Sequence, residues 1–297
     1  MADKSHIWTD EKLEEMEKHL FAIYSKASKE IGKEWKRYLK EAGKEIKDLQ
    51  EQYDLAKKGG DKDEIRKAGK ALGQAKRERT IMNKRFKDLS ERTAIEISKV
   101  NETALAYING DLPEIYVIGY NALADAVDGV GGYAFNLLDA NTVKNLALAD
   151  ESLLPYKKLD PAKDIPWNMK KINAEVLQGI LQGESMDKIA NRIERVQQMN
   201  ANASIRTART IVTGAENKGR QDSYARAESD GIILQKEWLA ANDNRTRHSH
   251  VLLDGDIVDQ DKEFDNGLMF PGDPNGEPSE VYNCRCSMTA VVKGFKK

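Results

Sequence analysis

Two short pairs of donor side chains, His248-x-His250 and Cys284-x-Cys286, are the residues of this sequence best suited to hold a metal ion. Imidazole nitrogen and thiolate sulfur are the ligands that tetrahedral zinc favours. One intervening residue is fewer than zinc fingers usually place between paired ligands. On an extended strand, however, residues i and i+2 share a face, so each pair can turn both donors inward. The other reading makes Cys284 and Cys286 buried apolar side chains and gives His250 an internal hydrogen bond. A Cys284–Cys286 disulfide is disfavoured, because a single intervening residue strains the bridge. Around the histidines lie Asp243, Asp254, Asp256, Asp259, Asp261, Glu263 and Asp265. Paired carboxylates with histidine can hold a divalent ion for phosphodiester hydrolysis. The plainer expectation is that Asp243 and Asp254 hold turns and the others are solvated. No catalytic constellation of specific spacing emerges.

The elements that must position these groups are short. Ile232 to Trp238 mixes β-branched and aromatic residues with polar ones, as a half-buried strand does. Asn242-Asp243-Asn244 is turn chemistry. Asp254-Gly255, between Val251-Leu252-Leu253 and Ile257-Val258, predicts a hairpin, since Gly accepts positive φ cheaply. Pro271 to Pro278 predicts an ordered loop, and Ser287 to Val292 a last strand. The unit is a small, loop-rich α+β module.

Its motifs carry a resemblance. Trp238…Asp243-x-Arg245-Thr246-Arg247-x-Ser249-His250-x-x-Leu253-Asp254-Gly255…Pro271-Gly272-Asp273-Pro274…Asn283-Cys284-Arg285-Cys286 resembles the C-terminal domain of the phage Mu F-like minor head protein (head morphogenesis) family. Ala208-Arg209-Thr210…Ala215-Glu216-Asn217-x-Gly219-Arg220 matches the helix that leads into that domain. The resemblance covers the last 90 or so residues in motif detail. It marks Trp238, Asp243, Arg245, Asp254, Gly255, Pro271 and Asn283 as motif positions. Many members carry Cys-x-x-Cys where this chain has Arg247 and His250, and His-Pro where it has Val281-Tyr282. The resemblance implies a minor head protein present in few copies, made in the host cytoplasm. It would be bound to the portal and other capsid proteins inside the head, aid assembly and accompany DNA at packaging or ejection. The competing expectation is an enzyme, a metal-dependent nuclease or ADP-ribosyltransferase-like domain on the same module. The non-enzymatic reading is preferred, with no cofactor or with one zinc ion at His248, His250, Cys284 and Cys286.

The rest of the chain predicts helix. From Leu13 through Met16, Leu20, Tyr24, Ala27, Ile31, Trp35, Tyr38, Ala42, Ile46 and Leu49 to Tyr53, apolar residues recur in steps of 3, 4 and 4. That eleven-residue period favours a straight helix, roughly 60 Å long. Thr9 or Asp10 is expected to cap it, and Gly59-Gly60 to stop it. Asp61 with Glu64 resembles a capping box for a second helix, and the two should form an antiparallel hairpin. Arg66, Lys67, Lys70, Lys76, Arg77, Arg79, Lys84, Arg85 and Lys87 face the single acid Glu78 over this run. They suit either contact with the phosphates of double-stranded DNA or pairing with Glu41, Glu45, Glu51 and Asp54 of the first helix.

Asp111-Leu112-Pro113 is expected to break the helical pattern. Asp128-Gly129-Val130-Gly131-Gly132 lacks the Gly-Lys-Ser/Thr ending of a phosphate loop and reads as a turn. Leu153 to Trp167, with three prolines, is the best linker. Helices are expected at Met169–Leu181, Met186–Val196 and Ala201–Ser229. Three consecutive parts follow: a helical hairpin over 1–110, small helices and linker over 111–200, and the α+β module over 201–297.

The 297 residues carry a net charge of −2, so contact with nucleic acid would need a local patch. Two cysteines argue against a secreted disulfide scaffold. The start, Met1-Ala2-Asp3-Lys4, lacks a signal core, and no apolar run reaches the ~18 residues of a membrane span.

Overall fold

Residues 4–128 and 138–296 are described by a computed structural model of the protein. Their fold is α+β. Helices α1 (Lys4–Glu45), α2 (Lys47–Gly59), α3 (Lys62–Arg79), α4 (Lys84–Asn121), α5 (Leu123–Asp128), α6 (Ala140–Ala149), α7 (Pro161–Leu181) and α8 (Met186–Ser229) precede the sheet. Strands β1 (Ile232–Leu239), β2 (Ile257–Asp259) and β3 (Ser287–Phe295) follow, with short helices α9 (His248–Leu252) and α10 (Pro278–Val281) between them. No helix among the described residues is long and apolar enough to cross a membrane.

Compactness does not follow sequence order. One unit gathers Leu20–Ala104 and Lys158–Ala203; the other gathers Met1–His19, Leu105–Lys157 and Ser204–Lys297. In the first, the stripe read from the sequence is the core: Ile31, Trp35, Tyr38 and Leu39 of α1 are buried with Phe86, Ile97, Ile172, Val176 and Ile193. Trp35 meets Tyr38 and Phe86 edge-on at 6.0 and 5.5 Å and donates its indole N–H to Thr93 Oγ1 at 2.9 Å. The stripe ends at Ile46, where the expected single helix breaks, and α2 buries none of its residues. Gly60, at φ 80°, stops α2, and the Asp61 side chain accepts from the Asp63 and Glu64 amides to start α3. The hairpin forms there, with Gly69 of α3 against the Tyr53 ring of α2.

Several expected boundaries move. The first helix begins at Lys4, so Thr9 is interior, its hydroxyl bonded to Ser5 O at 3.1 Å. Pro113 lies inside α4. Proline costs an interior helix about 3 kcal/mol, but burial of Leu112 and Ile115 beside it contributes a similar amount. Pro161 starts α7 at a favoured first-turn position behind the Asp160 cap, so much of the expected linker is helix. The helices expected over 186–196 and 201–229 are one, α8, with Asn200 buried rather than marking a break. The glycine turn of residues 129–132 lies outside the described residues.

In the second unit the sheet is antiparallel, in the order β2-β1-β3. Trp238 faces Met288 and Gln235 faces Asp259 in register. β1 alternates in burial as predicted. Val251 to Leu253 do not form the first strand of a hairpin; α9 and its turn occupy that stretch, and Gly255 at φ 81° reverses the backbone into β2. Tyr224, Ala227, Leu234, Phe270 and Met288 form a core between α8 and the sheet. Where α4 crosses α8, Gly119 lies on the Glu216 carbonyl and Gly219 on the Tyr116 carbonyl, so close that a Cβ at either glycine would overlap backbone.

Candidate metal centre

His250, Cys284 and Cys286 are buried together in the second unit, with donor atoms all within 4.8 Å of one another. His250 Nδ1 lies 3.6 Å from Cys284 Sγ and 3.4 Å from Cys286 Sγ. Each donor is fixed by a different element. α9 carries His250, whose Nε2 lies 3.0 Å from Glu280 Oε2 on α10. Ser249 Oγ donates to the same carboxylate at 3.1 Å. The cysteine loop is held by α8: Thr213 Oγ1 donates to Cys284 O at 2.8 Å and Asn217 Nδ2 to Cys286 O at 3.2 Å. Asn283 enters the loop at φ 60°, a conformation asparagine tolerates, and its N–H donates to Thr210 Oγ1 at 2.8 Å. Trp238 walls the site, its ring edge-on to His250 and Phe264 at 5.1 Å each.

Cys286 is pushed toward thiolate, first by the hydrogen bond from Cys284 and then by that from His250, against the cost of burial. Cys284 is pushed the other way by the same neighbour and by burial. Two sulfurs and one imidazole nitrogen match the donor set of zinc. A ligating histidine whose other ring nitrogen meets a carboxylate is the usual outer arrangement of such sites. The residues present therefore fit a zinc ion with three protein donors.

His248 is a correction to the four-donor expectation. It sits on α9, not on a strand, so a step of two residues is about 200° around the helix axis. His248 is exposed and outside the cluster, while His250 is buried.

The motif residues are mostly turn-holders. Asp243 pairs with Arg285 and accepts from the Arg245 amide at 2.9 Å. The hydrogen bond from Arg285 leads in holding its carboxyl down, at about 2. Asp254 accepts from Ala240 N at 2.8 Å and Asn242 Nδ2 at 2.7 Å, while Gly255 N donates to Trp238 O at 2.9 Å. Pro271 is buried beside Gly272, whose backbone rests on Gly214 of α8. Arg245 is exposed.

The nine basic residues do not act alike. Lys76 is buried; Arg66, Arg79 and Arg85 pair with Asp63, Glu45 and Glu41 at 3.1, 3.7 and 2.9 Å. Lys67, Lys70, Arg77, Lys84 and Lys87 are exposed.

One buried cluster is not anticipated by the sequence analysis. Glu216 and Arg220 are each 1% exposed and bonded at 2.9 Å. His6 Nδ1 lies 3.1 Å from Glu216, and Arg220 donates to Ser5 Oγ and to Met288 O at 2.5 and 2.9 Å. The i, i+4 spacing of Glu216 and Arg220 was the available signal, but it fits an exposed pair equally well.

Residues 170–289 match the family profile described as Phage Mu protein F like protein, a span that holds the whole His–Cys cluster. These residues form a phage Mu F-like region. Over 286 residues the chain is 27% identical to minor head protein GP7 of Bacillus phage SPP1, covering 95% of this chain and 87% of that protein. Over 128 residues it is 33% identical to the NAD(+)–arginine ADP-ribosyltransferase EFV of Enterococcus faecalis, 42% of this chain and only 26% of that protein. Over 145 residues it is 28% identical to the uncharacterized protein YqbB of Bacillus subtilis, 45% of this chain and 47% of that protein. No solved structure matches significantly. The Mu F-like region begins within α7 and ends in β3, so the basic run of α3 and α4 lies outside it.

Proposed function

We propose that this chain is a minor head protein of a tailed phage, made in the host cytoplasm and carried in the virion inside the capsid. There it docks on the portal and on other capsid proteins and aids head assembly. The observation that carries this reading is the similarity to the SPP1 minor head protein over 95% of the sequence. The match of residues 170–289 to the Mu F-like profile supports it as well. The exposed cations Lys67, Lys70, Arg77, Lys84 and Lys87 support contact with packaged or departing DNA.

The enzymatic alternative draws on the similarity to the ADP-ribosyltransferase, which spans a quarter of that protein. The site favours structure over catalysis. Asp243 and Asp254 are engaged in holding turns, and His250 faces two thiols rather than a carboxylate pair. A zinc ion on His250, Cys284 and Cys286 would tie α9 to the start of β3 and so staple the module.

Two measurements test the reading. Portal assemblies isolated during head formation should carry the protein; portal free of it would contradict docking. The purified protein should hold about one zinc, by mass spectrometry, and lose it together with thermal stability when Cys284 and Cys286 are both changed to serine. Full stability with no bound metal in the wild-type protein would overturn the staple.

A further inference from the structure

His250 is gripped at both ring nitrogens by one short segment of chain. Its Nε2 lies 3.0 Å from Glu280 Oε2, and its Nδ1 lies 3.6 and 3.4 Å from the sulfurs of Cys284 and Cys286. The carboxylate is itself held. Ser249 Oγ donates to Glu280 Oε2 at 3.1 Å, and Asn266 Nδ2 donates to the same oxygen at 3.5 Å. Asn266 is fixed in turn, its Oδ1 accepting from Leu268 N at 3.3 Å. Pro278 opens α10, and Val281 beside Glu280 is buried with Cys284, Cys286 and Leu268. Cys284 N donates to Val281 O at 3.3 Å, which ties α10 to the thiol loop.

A neutral imidazole carries one N–H and one lone pair. When Nε2–H is donated to a carboxylate, the lone pair is left on Nδ1. Here Nδ1 is the nitrogen that faces both sulfurs. Zinc bonded to sulfur at about 2.3 Å and to nitrogen at about 2.0 Å, at tetrahedral angles, sets those two atoms about 3.5 Å apart. The observed separations match that spacing. The two ring nitrogens point away from each other, so a carboxylate on Nε2 can orient the ring but cannot bind the ion that Nδ1 binds.

We propose that Glu280 is the positioning residue of this centre, a role that rests on zinc occupying it. Glu280 holds His250 in the tautomer that ligates through Nδ1. Through Ser249 and Asn266 it also joins α10 and the turn of residues 264–268 to the part of the module that the metal stabilises. The grip thus extends past the staple of α9 to β3. A carboxylate that served only as an ion-pair partner of His250 would support the fold equally with and without metal, and this separates the two roles.

Full-length wild type, Glu280→Gln and Glu280→Ala are each stripped of metal and titrated with zinc against a chromophoric chelator. Amide hydrogen exchange is read before and after loading. Glutamine keeps the length and one acceptor oxygen but removes the charge. Zinc should bind Glu280→Gln more weakly than wild type, and Glu280→Ala roughly tenfold to a hundredfold more weakly. Loading should slow exchange over residues 264–268 and 278–282 in wild type but not in Glu280→Ala. Glu280→Gln binding zinc as tightly as wild type would overturn the positioning role and leave the zinc centre standing, and this comparison decides even where Glu280→Ala fails to fold. Equal slowing of exchange in Glu280→Ala would overturn the link to the 264–268 turn. Wild-type protein that takes up no zinc would remove the zinc reading itself, and this role with it.

Discussion

The two compact units bury polar groups by different means. In the unit of Leu20–Ala104 and Lys158–Ala203, the buried polar groups are mainly neutral, as with Asn101, Asn168 and Asn200, or Trp35 with Thr93, and the buried cation Arg192 is paired with the partly exposed carboxylates Glu175 and Glu184. In the other unit, Glu216 and Arg220 are buried charges, the Cys–His cluster replaces part of an aliphatic core, and two helices touch through glycine backbone. The single helix α8 serves both. Neutral networks tolerate the loss of one bond, whereas a buried charge without its partner is uncompensated. The same helix should therefore be forgiving near Asn200 and unforgiving near Glu216.

Substitutions can break that contrast, and the two largest effects should come from the crossing and from the buried Glu216. Gly219→Ala places a methyl group against the Tyr116 carbonyl, which cannot yield without moving α4. It should cost about 3 kcal/mol or more in denaturant melts. A cost under about 1 kcal/mol would show that the helices separate easily. Glu216→Gln leaves Arg220 buried without its counter-charge and should cost about 3–5 kcal/mol. Trp35→Phe removes one neutral bond and should cost about 1–2 kcal/mol. If Trp35→Phe proves more damaging than Glu216→Gln, the contrast fails.

The pH dependence sharpens the same point. Burial disfavours a charged His6, but attraction to Glu216 and Asp10 outweighs burial and raises its pKa from 6.5 to about 9. A raised pKa means that protonated His6 stabilises the fold fully below about pH 6.5 and that this is lost as pH rises through about 9. The loss should be at most about 3 kcal/mol. His6→Gln should flatten the stability profile between these limits. An equally steep profile in the variant would place the dependence elsewhere. The smallest effect on the fold should come from the exposed lysines. Lys67→Glu with Lys70→Glu should leave stability within about 0.5 kcal/mol while weakening any salt-sensitive DNA binding.

Legibility in the sequence follows the same division. The stripe of α1 was readable because one helix face carries its own periodicity, and Gly60 with Asp61 announced the hairpin through local backbone chemistry. The motif of the C-terminal module, the alternation of β1 and the roles of Asp243 and Asp254 were also readable. His250 with Cys284 and Cys286 was anticipated, but His248 was not separable from it, because α9 is a single helical turn too short to show a period. Pro113 misled because its helix is held by burial that depends on distant residues. The crossing at Gly119 and Gly219, and the pairing of His6 with Glu216, join positions about 100 and 210 apart in the sequence, and no local pattern records them.

The measurement closest to the central claim is the amount of this protein in purified, DNA-filled particles of the phage or prophage that encodes it, by quantitative mass spectrometry. The account predicts a small, fixed number of copies per particle, still present after surface proteins are stripped by external protease. Particles that contain the genome and none of this protein would contradict it.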